Sequence, residues 1–514
     1  MSDTSQNNKR IAKNTLLLYS RMIVIMLVSL YTSRVILKYL GVIDYGIYNV
    51  VGGIIIMLSF FNSCMSTATQ RFLTIELAKG NMKKLKETFA TALNIHIIIC
   101  VLVIFIAETL GLYFLNTYLN IPSDKNFSAN LIYQCTIIIF CMNILQIPYN
   151  AVLISHERMN IYAYLSLFEV ILKLVIVYIL GLFTSNRLII YGILMVCVQF
   201  IIRLSYQIYC KKRYSECVFI PHLNKSIYKN MINFAGWSMF GSLAWLLRDQ
   251  GINITLNIFF GPAINAAKGI SSQVSSAVIT FVSNFLTAIN PQITKRFANG
   301  QLKEMENLTY FGIKYSFVLV TLIAVPIILN IDEILSIWLV TVPIYTKNFI
   351  VLIVLDIMLG TLLGANPLLT ALSATGKIKK PQFFVSLVIA LILPTSYIIL
   401  KLGYKPYAVF YSYFFYTFIS GIVRIYFAKK IIGFSISLFL RKVLRPSILM
   451  VIFSIPALFF MKRTLFNGID IVMDVIFSSI FSILFIITVF WLVSMDRAEK
   501  TFVLNIIKNK IHRR

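Results

Sequence analysis

Apolar runs of about twenty residues, separated by short polar connections, recur fourteen times along this chain of 514 residues. A helix rises about 1.5 Å per residue and the hydrocarbon core of a bilayer is about 30 Å thick, so each run is long enough to cross it. The runs centre on residues 15–37, 44–67, 89–115, 130–154, 160–183, 188–210, 233–257, 264–289, 309–330, 347–371, 382–402, 405–428, 444–461 and 471–494. They predict an all-α polytopic membrane protein with about fourteen transmembrane helices.

The polar connections alternate in charge. Lys9, Arg10 and Lys13 precede the first run, Arg71, Lys79, Lys83, Lys84 and Lys86 follow the second, and Lys211, Lys212, Arg213, Lys225 and Lys229 follow the sixth. Lys295, Arg296 and Lys303 continue the series, then Lys377, Lys379 and Lys380, then Arg441, Lys442 and Arg445, and the tail ends in Lys508, Lys510, Arg513 and Arg514. The intervening connections, around Asp124, Arg187 and Asp332 with Glu333, are poorer in basic residues. Short cytoplasmic loops carry excess Lys and Arg, so both termini are expected in the cytoplasm. An even number of spans returns the chain to its starting side, in agreement.

The pattern also repeats. Residues 41–83 lie over 261–303 at an offset of 220, pairing Gly41 with Gly261, Phe61 with Phe281, Ser63 with Ser283, Thr67 with Thr287, Ala68 with Ala288, Thr74 with Thr294, Ala78 with Ala298, Gly80 with Gly300 and Lys83 with Lys303. Pro148 lies over Pro367 at an offset of 219. Fixed-period similarity is the signature of duplication, and transporters use it widely. Runs one to six and seven to twelve begin on the same side, which predicts two parallel six-helix lobes, residues 1–229 and 230–440. Residues 441–514 add two further helices and a basic cytoplasmic tail. Two such lobes are expected to enclose a cavity and to rock around it.

Composition narrows the function classes. With 59% apolar and 13% charged residues, the chain cannot offer water a polar surface over most of its area. The net charge of +28 is scattered in short loop clusters, without the basic face of a nucleic-acid-binding domain, so no nucleic-acid partner is expected. Seven cysteines fall mostly within apolar runs and show neither metal-ligand spacing nor paired arrangement. No cofactor or metal is expected. The stretch from Met1 to Asn8 is polar and no small-residue cleavage site follows, so the first span is expected to be retained. A GxxxxGK[ST] phosphate loop is missing from the sequence, which argues against direct ATP hydrolysis.

The run from Arg34 to Tyr48 contains Leu40-Gly41 followed by Tyr45-Gly46. It resembles the first hairpin of bacterial polysaccharide flippases of the O-antigen type, within the multidrug, oligosaccharidyl-lipid and polysaccharide exporter superfamily. The number of spans, the basic connection after span two, Pro148 and Pro367 are similar to that family too, so the resemblance covers nearly the whole chain. It implies a multidrug-and-toxin-extrusion-like fold in a bacterial inner membrane. It also implies alternating-access transfer of an undecaprenyl-pyrophosphate-linked oligosaccharide, such as a lipopolysaccharide O-antigen unit, from the cytoplasmic to the periplasmic leaflet. Membrane lipids and a coupling proton or sodium ion are the further implied partners.

Charge inside the spans supplies the candidate residues. An Arg, Lys or Asp near the bilayer centre costs roughly 2.5 to 3.5 kcal/mol on insertion scales, so such groups should face a partner or an aqueous lumen. Arg21, Arg34 and Lys38 in span one, Arg248 in span seven and Lys268 in span eight are candidate binders of an anionic substrate. Guanidinium suits phosphate because its donors engage two oxygens at once. Arg34 and Lys38 also lie where long side chains can snorkel to an interface. Asp249, Asn253 and Asn257 recur every four residues, with Ser242 on the same side, and form a stripe that lines a cavity or bonds a neighbouring helix. Asn253 is the candidate substrate-binding residue on it. Asp249 and Glu169 are the candidate ion-coupling carboxylates, although Glu169 and Lys173 have the spacing of a helical ion pair. Gly41 and Gly46 are expected to serve the hairpin turn.

Three other functions compete. A cation-coupled exporter of small amphipathic cations would favour an acidic lumen, whereas here the buried bases dominate. A lipid II flippase would share the pyrophosphate. A membrane glycan polymerase, an enzyme, needs a sizeable outer loop, and every outer connection here is short.

Overall fold

The computed structural model describes residues 2–156, 158–184, 186–219, 225–465, 470–496 and 499–501; within these, the side chains of 2–23, 60, 61, 63, 64, 67, 75, 78, 159, 233–244, 287, 288, 291, 295, 298 and 465 lie outside the description. Helix dominates, and no strand occurs among the described residues. The first half comprises α1 (Ser2–Ile56), α2 (Phe60–Ala78), α3 (Met82–Ile106), α4 (Leu112–Tyr118), α5 (Asn126–Ser155), α6 (Met159–Leu180) and α7 (Arg187–Arg213). Next come α8 (Lys225–Phe260), α9 (Pro262–Ala298), α10 (Leu302–Leu329), α11 (Ile331–Trp338), α12 (Thr346–Leu362), α13 (Pro367–Ala374), α14 (Lys379–Ala390), α15 (Ile392–Lys401) and α16 (Val409–Ile432). The chain closes with α17 (Ile436–Phe439), α18 (Arg445–Leu465) and α19 (Ile471–Val489).

The duplication is visible in the backbone. Gly41 and Gly261 both adopt φ of 77°, and Gly80 and Gly300 adopt 68° and 74°. A side chain is strained in that left-handed region, which is why glycine stands at both members of each pair. Helix starts keep the same register: Met82 and Leu302, Asn126 and Thr346, and Met159 and Lys379 are each 220 residues apart.

One pair of equivalents diverges. Pro148 sits inside the continuous α5, whereas the chain bends by 40° between α12 and α13, just before Pro367. Either proline deprives the carbonyl four residues earlier of a donor. Residue 364 is glycine at φ 72°, while the equivalent residue in α5 is Leu145. The glycine turns a tolerated kink into a break.

Each of the fourteen apolar runs falls on helix, but ten helical stretches among the described residues are long and apolar enough to cross a membrane, or eleven with the bent pair α12–α13. The first run and the start of the second lie on α1, where Gly41, non-helical at φ 77° and ψ 174°, divides two helical segments at a kink. Parts of α8 and α9 lie outside the described side chains, and these two helices do not enter that count.

Packing divides the described chain into two compact units, Met1–Ile270 with Leu339–Ile344, and Ser271–Trp338 with Tyr345–Arg514. The division falls inside α9, because α8 and the start of α9 pack against α1 and α2. A packing unit and a copy of the duplication are therefore different segments of this chain.

In the second unit the last two long helices are fastened to α10 and α11. Lys462 of α18 donates to Glu333 at 2.8 Å and to the Leu329 carbonyl at 2.7 Å. Ser478 of α19 donates to Asn330 at 2.8 Å. Beyond α19, Glu499 reaches the buried Lys314 of α10 at 2.6 Å.

Candidate functional site

Helix α8 runs for 36 residues, about 54 Å at 1.5 Å per residue. Asp249 lies eleven residues from its Phe260 end, about 16 Å along the axis. Gly261 then reverses the chain, and α9 brings Lys268 back beside Asp249: Nζ and Oδ1 are 2.7 Å apart. The lysine side chain is 5% exposed and the carboxylate 43%. Gln250 donates a further bond to Asp249 at 3.2 Å. Arg248 places its guanidinium carbon 4.2 Å from the ring centre of Trp245, one helical turn earlier, within cation–π range. Trp245 itself is 46% exposed.

Above this charged set lies a ladder of asparagines. Asn265 donates to the Asn253 carbonyl at 2.6 Å and to its side-chain oxygen at 2.8 Å. Asn257 donates to Asn265 at 2.9 Å and accepts from the Asn120 backbone at 2.8 Å. Asn253 donates to the Asn49 carbonyl at 3.2 Å. All three described members of the stripe on α8 bond neighbouring segments, Asp249 through Lys268 of α9. Asp249 remains half exposed. Ser242 lies outside the described side chains.

The second half of α1 is pressed onto this hairpin. A methyl group at Gly46 would overlap the Pro262 carbonyl, and one at Gly269 would come within 2.7 Å of the Asn49 side chain. At Gly53 it would come within 2.7 Å of Gln250 Oε1. Small residues let backbones approach in this way. Gly46, expected to serve the turn, is instead a packing glycine, and Gly41 alone supplies the turn conformation.

The remaining candidates are dispersed. Arg34 and Lys38 are exposed one turn apart on α1, with Lys38 Nζ 5.9 Å from the Tyr39 ring centre. Glu169 is engaged with Lys173 at 2.5 Å on α6, a half-exposed helical pair. The side chain of Arg21 lies outside the described set. The structure thus brings Arg248, Asp249, Asn253 and Lys268 together and leaves Arg34, Lys38 and Glu169 apart from them.

Two arginines stand out that no motif marks. Arg203 of α7 makes no hydrogen bond through its buried Nε. Arg424 of α16 is 5% exposed and lies 221 residues later, close to the repeat offset. The signal that could have found them is their recurrence on the sixth helix of each copy. Among the described residues no three His, Cys, Asp or Glu side chains converge as metal ligands would.

No family model matches the chain, and no curated protein does. Solved structures do. A lipid II flippase, MurJ, in an inward closed conformation is similar over 93% of this chain and 99% of its own, with a TM-score of 0.66 at 12% identity. The chain has the fold of these membrane transporters. An inward-facing multidrug resistance MATE transporter of the MOP superfamily matches over 82% of this chain and 94% of its own, with a TM-score of 0.60 at 12% identity. A MOP superfamily transporter from Pyrococcus furiosus, described as having a binding pocket of reverse polarity, matches over 82% and 96%, with a TM-score of 0.56 at 14% identity.

Proposed function

We propose that this chain is a flippase that moves an undecaprenyl-pyrophosphate-linked oligosaccharide from the cytoplasmic to the periplasmic leaflet of a bacterial plasma membrane. The observation that supports this reading is the cationic set within α8 and α9, Arg248 and Lys268 with the half-exposed Asp249. Hydrocarbon rejects the substrate's pyrophosphate and sugars, so a carrier must offer them charge and hydrogen bonds within the bilayer. The structural overlap supports the same reading, since it extends over 93% of the chain for the lipid flippase and 82% for the multidrug exporter.

In this proposal residues 1–229 and 230–440 act as parallel lobes that alternate access, and 441–514 is an appendage with a cytoplasmic tail. Arg248, Lys268 and Arg21 hold the pyrophosphate, Arg34 and Lys38 attract the anion toward the outer end, and Asn253 is a sugar contact that opens when the asparagine ladder parts. An arriving pyrophosphate competes with Asp249 for Lys268 and Arg248. The freed carboxylate then takes a proton or sodium ion, with Glu169 as the second carboxylate able to do so once released from Lys173.

A lipid II flippase is the second reading, favoured by the MurJ overlap and by the shared pyrophosphate. Deleting the gene and identifying the lipid-linked glycan that accumulates on the cytoplasmic leaflet separates the two. Accumulation of lipid II supports the second reading. A rise in drug sensitivity with no such lipid would favour the exporter function instead. In reconstituted vesicles, Arg248→Ala is expected to lower flipping at unchanged protein level, and a wild-type rate in that variant removes the cationic-lumen idea.

A further inference from the structure

Trp245 adds a feature that charge alone does not provide. Its indole is 46% exposed, and the Arg248 guanidinium lies 4.2 Å from its ring centre. Arg248 and Asp249 follow it by three and four residues, so all three share one face of α8. The Asp249 end of that face is anchored by Lys268. A face with this much charge does not look onto lipid. The exposed indole therefore opens on the same aqueous side as the half-exposed carboxylate. An interfacial anchoring role fits poorly, because Trp245 lies about 22 Å from the Phe260 end and about 30 Å from the Lys225 end of α8.

Building on the flippase reading, we propose that Trp245 is the stacking platform for the first sugar of the substrate, the hexopyranose bonded directly to the pyrophosphate. The juxtaposition matches the chemistry. A phosphate held by Arg248 is joined through a single oxygen to the anomeric carbon of that sugar, and the next surface beyond the guanidinium is the indole. One face of a pyranose ring is a flat array of C–H groups that covers an aromatic ring well, while its equatorial hydroxyls stay hydrated. Tryptophan supplies a large, rigid contact at low entropic cost. Anion recognition and sugar recognition are then adjacent, one turn apart on a single helix. The platform selects for a lipid pyrophosphate that already carries its sugar over the bare carrier lipid.

The test is equilibrium binding by the full-length protein in nanodiscs, with two probes: undecaprenyl pyrophosphate, and undecaprenyl pyrophosphate bearing one N-acetylglucosamine. Wild-type protein is expected to prefer the glycosylated probe. Trp245→Leu is expected to weaken that probe about tenfold while leaving the bare pyrophosphate within about twofold, and Trp245→Phe to retain most of the preference. Equal loss for both probes, or no loss for either, overturns the stacking role. If Trp245→Leu does not fold, the emission difference between wild type and Trp245→Phe serves instead. That difference should be quenched by the glycosylated probe and not by the bare one, and its insensitivity to both overturns the assignment. Should the wild type bind both probes equally, the platform falls and the pyrophosphate reading survives. Should it bind neither, both fall together.

Discussion

Lys268 and Asp249 sit 2.7 Å apart but are unequally sheltered, the lysine side chain 5% exposed and the aspartate 43%. Removing one partner of a buried pair is costly chiefly through the charge left behind. Asp249→Asn removes the anion facing a buried ammonium and is expected to cost up to about 3 kcal/mol. Lys268→Met leaves a carboxylate with 43% of its side-chain surface exposed, and a smaller loss, about 1 kcal/mol, is expected. The double variant should recover much of the Asp249→Asn loss. Reversible unfolding in mixed micelles measures all three, and equal losses in the two single variants would show that the burial asymmetry has no energetic consequence.

Two glycines on one helix give a sharper contrast. A Cβ at Gly46 would overlap the backbone carbonyl of Pro262, whereas one at Gly52 meets nothing within 4 Å. Backbone cannot rotate away as a side-chain tip can, so Gly46→Ala should destabilise by about 1 to 3 kcal/mol. Gly52→Ala should be neutral or stabilise by up to about 1 kcal/mol, since alanine favours helix. A Gly46→Ala protein that melts with the wild type would show that α1 does not pack on the α9 turn as described.

The duplication and the helices were legible because they depend on local spacing. A 220-residue register survives in Gly41 and Gly261 since each needs a left-handed backbone that other residues resist. The site was only partly legible. Arg248, Asp249 and Lys268 announce themselves as charges in apolar runs, but that Lys268 pairs with Asp249 depends on how far the chain reverses at Gly261. No periodicity encodes that angle. Asn265 went unmarked for the same reason: a single asparagine early in α9 gains its role from meeting Asn253 and Asn257. Gly46 was misread because a turn glycine and a packing glycine look alike until the neighbour is known.

The asparagine ladder predicts coupling. Asn265 gives both of its donated bonds to Asn253, at 2.6 and 2.8 Å. Hydrogen bonds between membrane helices average about 0.6 kcal/mol in double-mutant cycles, with about 1.7 kcal/mol as the upper end. A cycle with Asn253→Ala and Asn265→Ala should therefore show a coupling energy toward the upper part of that range, while Asn265→Ala with Glu169→Ala should be additive. Strict additivity in the first cycle would mean that the ladder contributes geometry without stability.

The tail offers a suppressor test. Lys314 is buried in α10, and its ammonium meets Glu499 at 2.6 Å beyond the last long helix. The same Glu499 oxygen accepts from the Asp496 backbone at 2.9 Å, so the carboxylate is held by the start of a helical turn as well as by the lysine. Truncation after Met495 removes this counter-ion and leaves Lys314 in an apolar setting beside Phe490, whose ring centre is 5.8 Å from Nζ. The truncated chain is expected to yield several-fold less monodisperse protein in detergent, since stranding a buried charge costs about 3 to 5 kcal/mol. Lys314→Leu removes the stranded charge and should restore most of that yield in the truncated chain, while costing little stability in the full-length one, where Glu499 is already partly exposed. Size-exclusion profiles of the four proteins decide it. If Lys314→Leu fails to rescue the truncation, the tail stabilises the bundle by something other than neutralising Lys314.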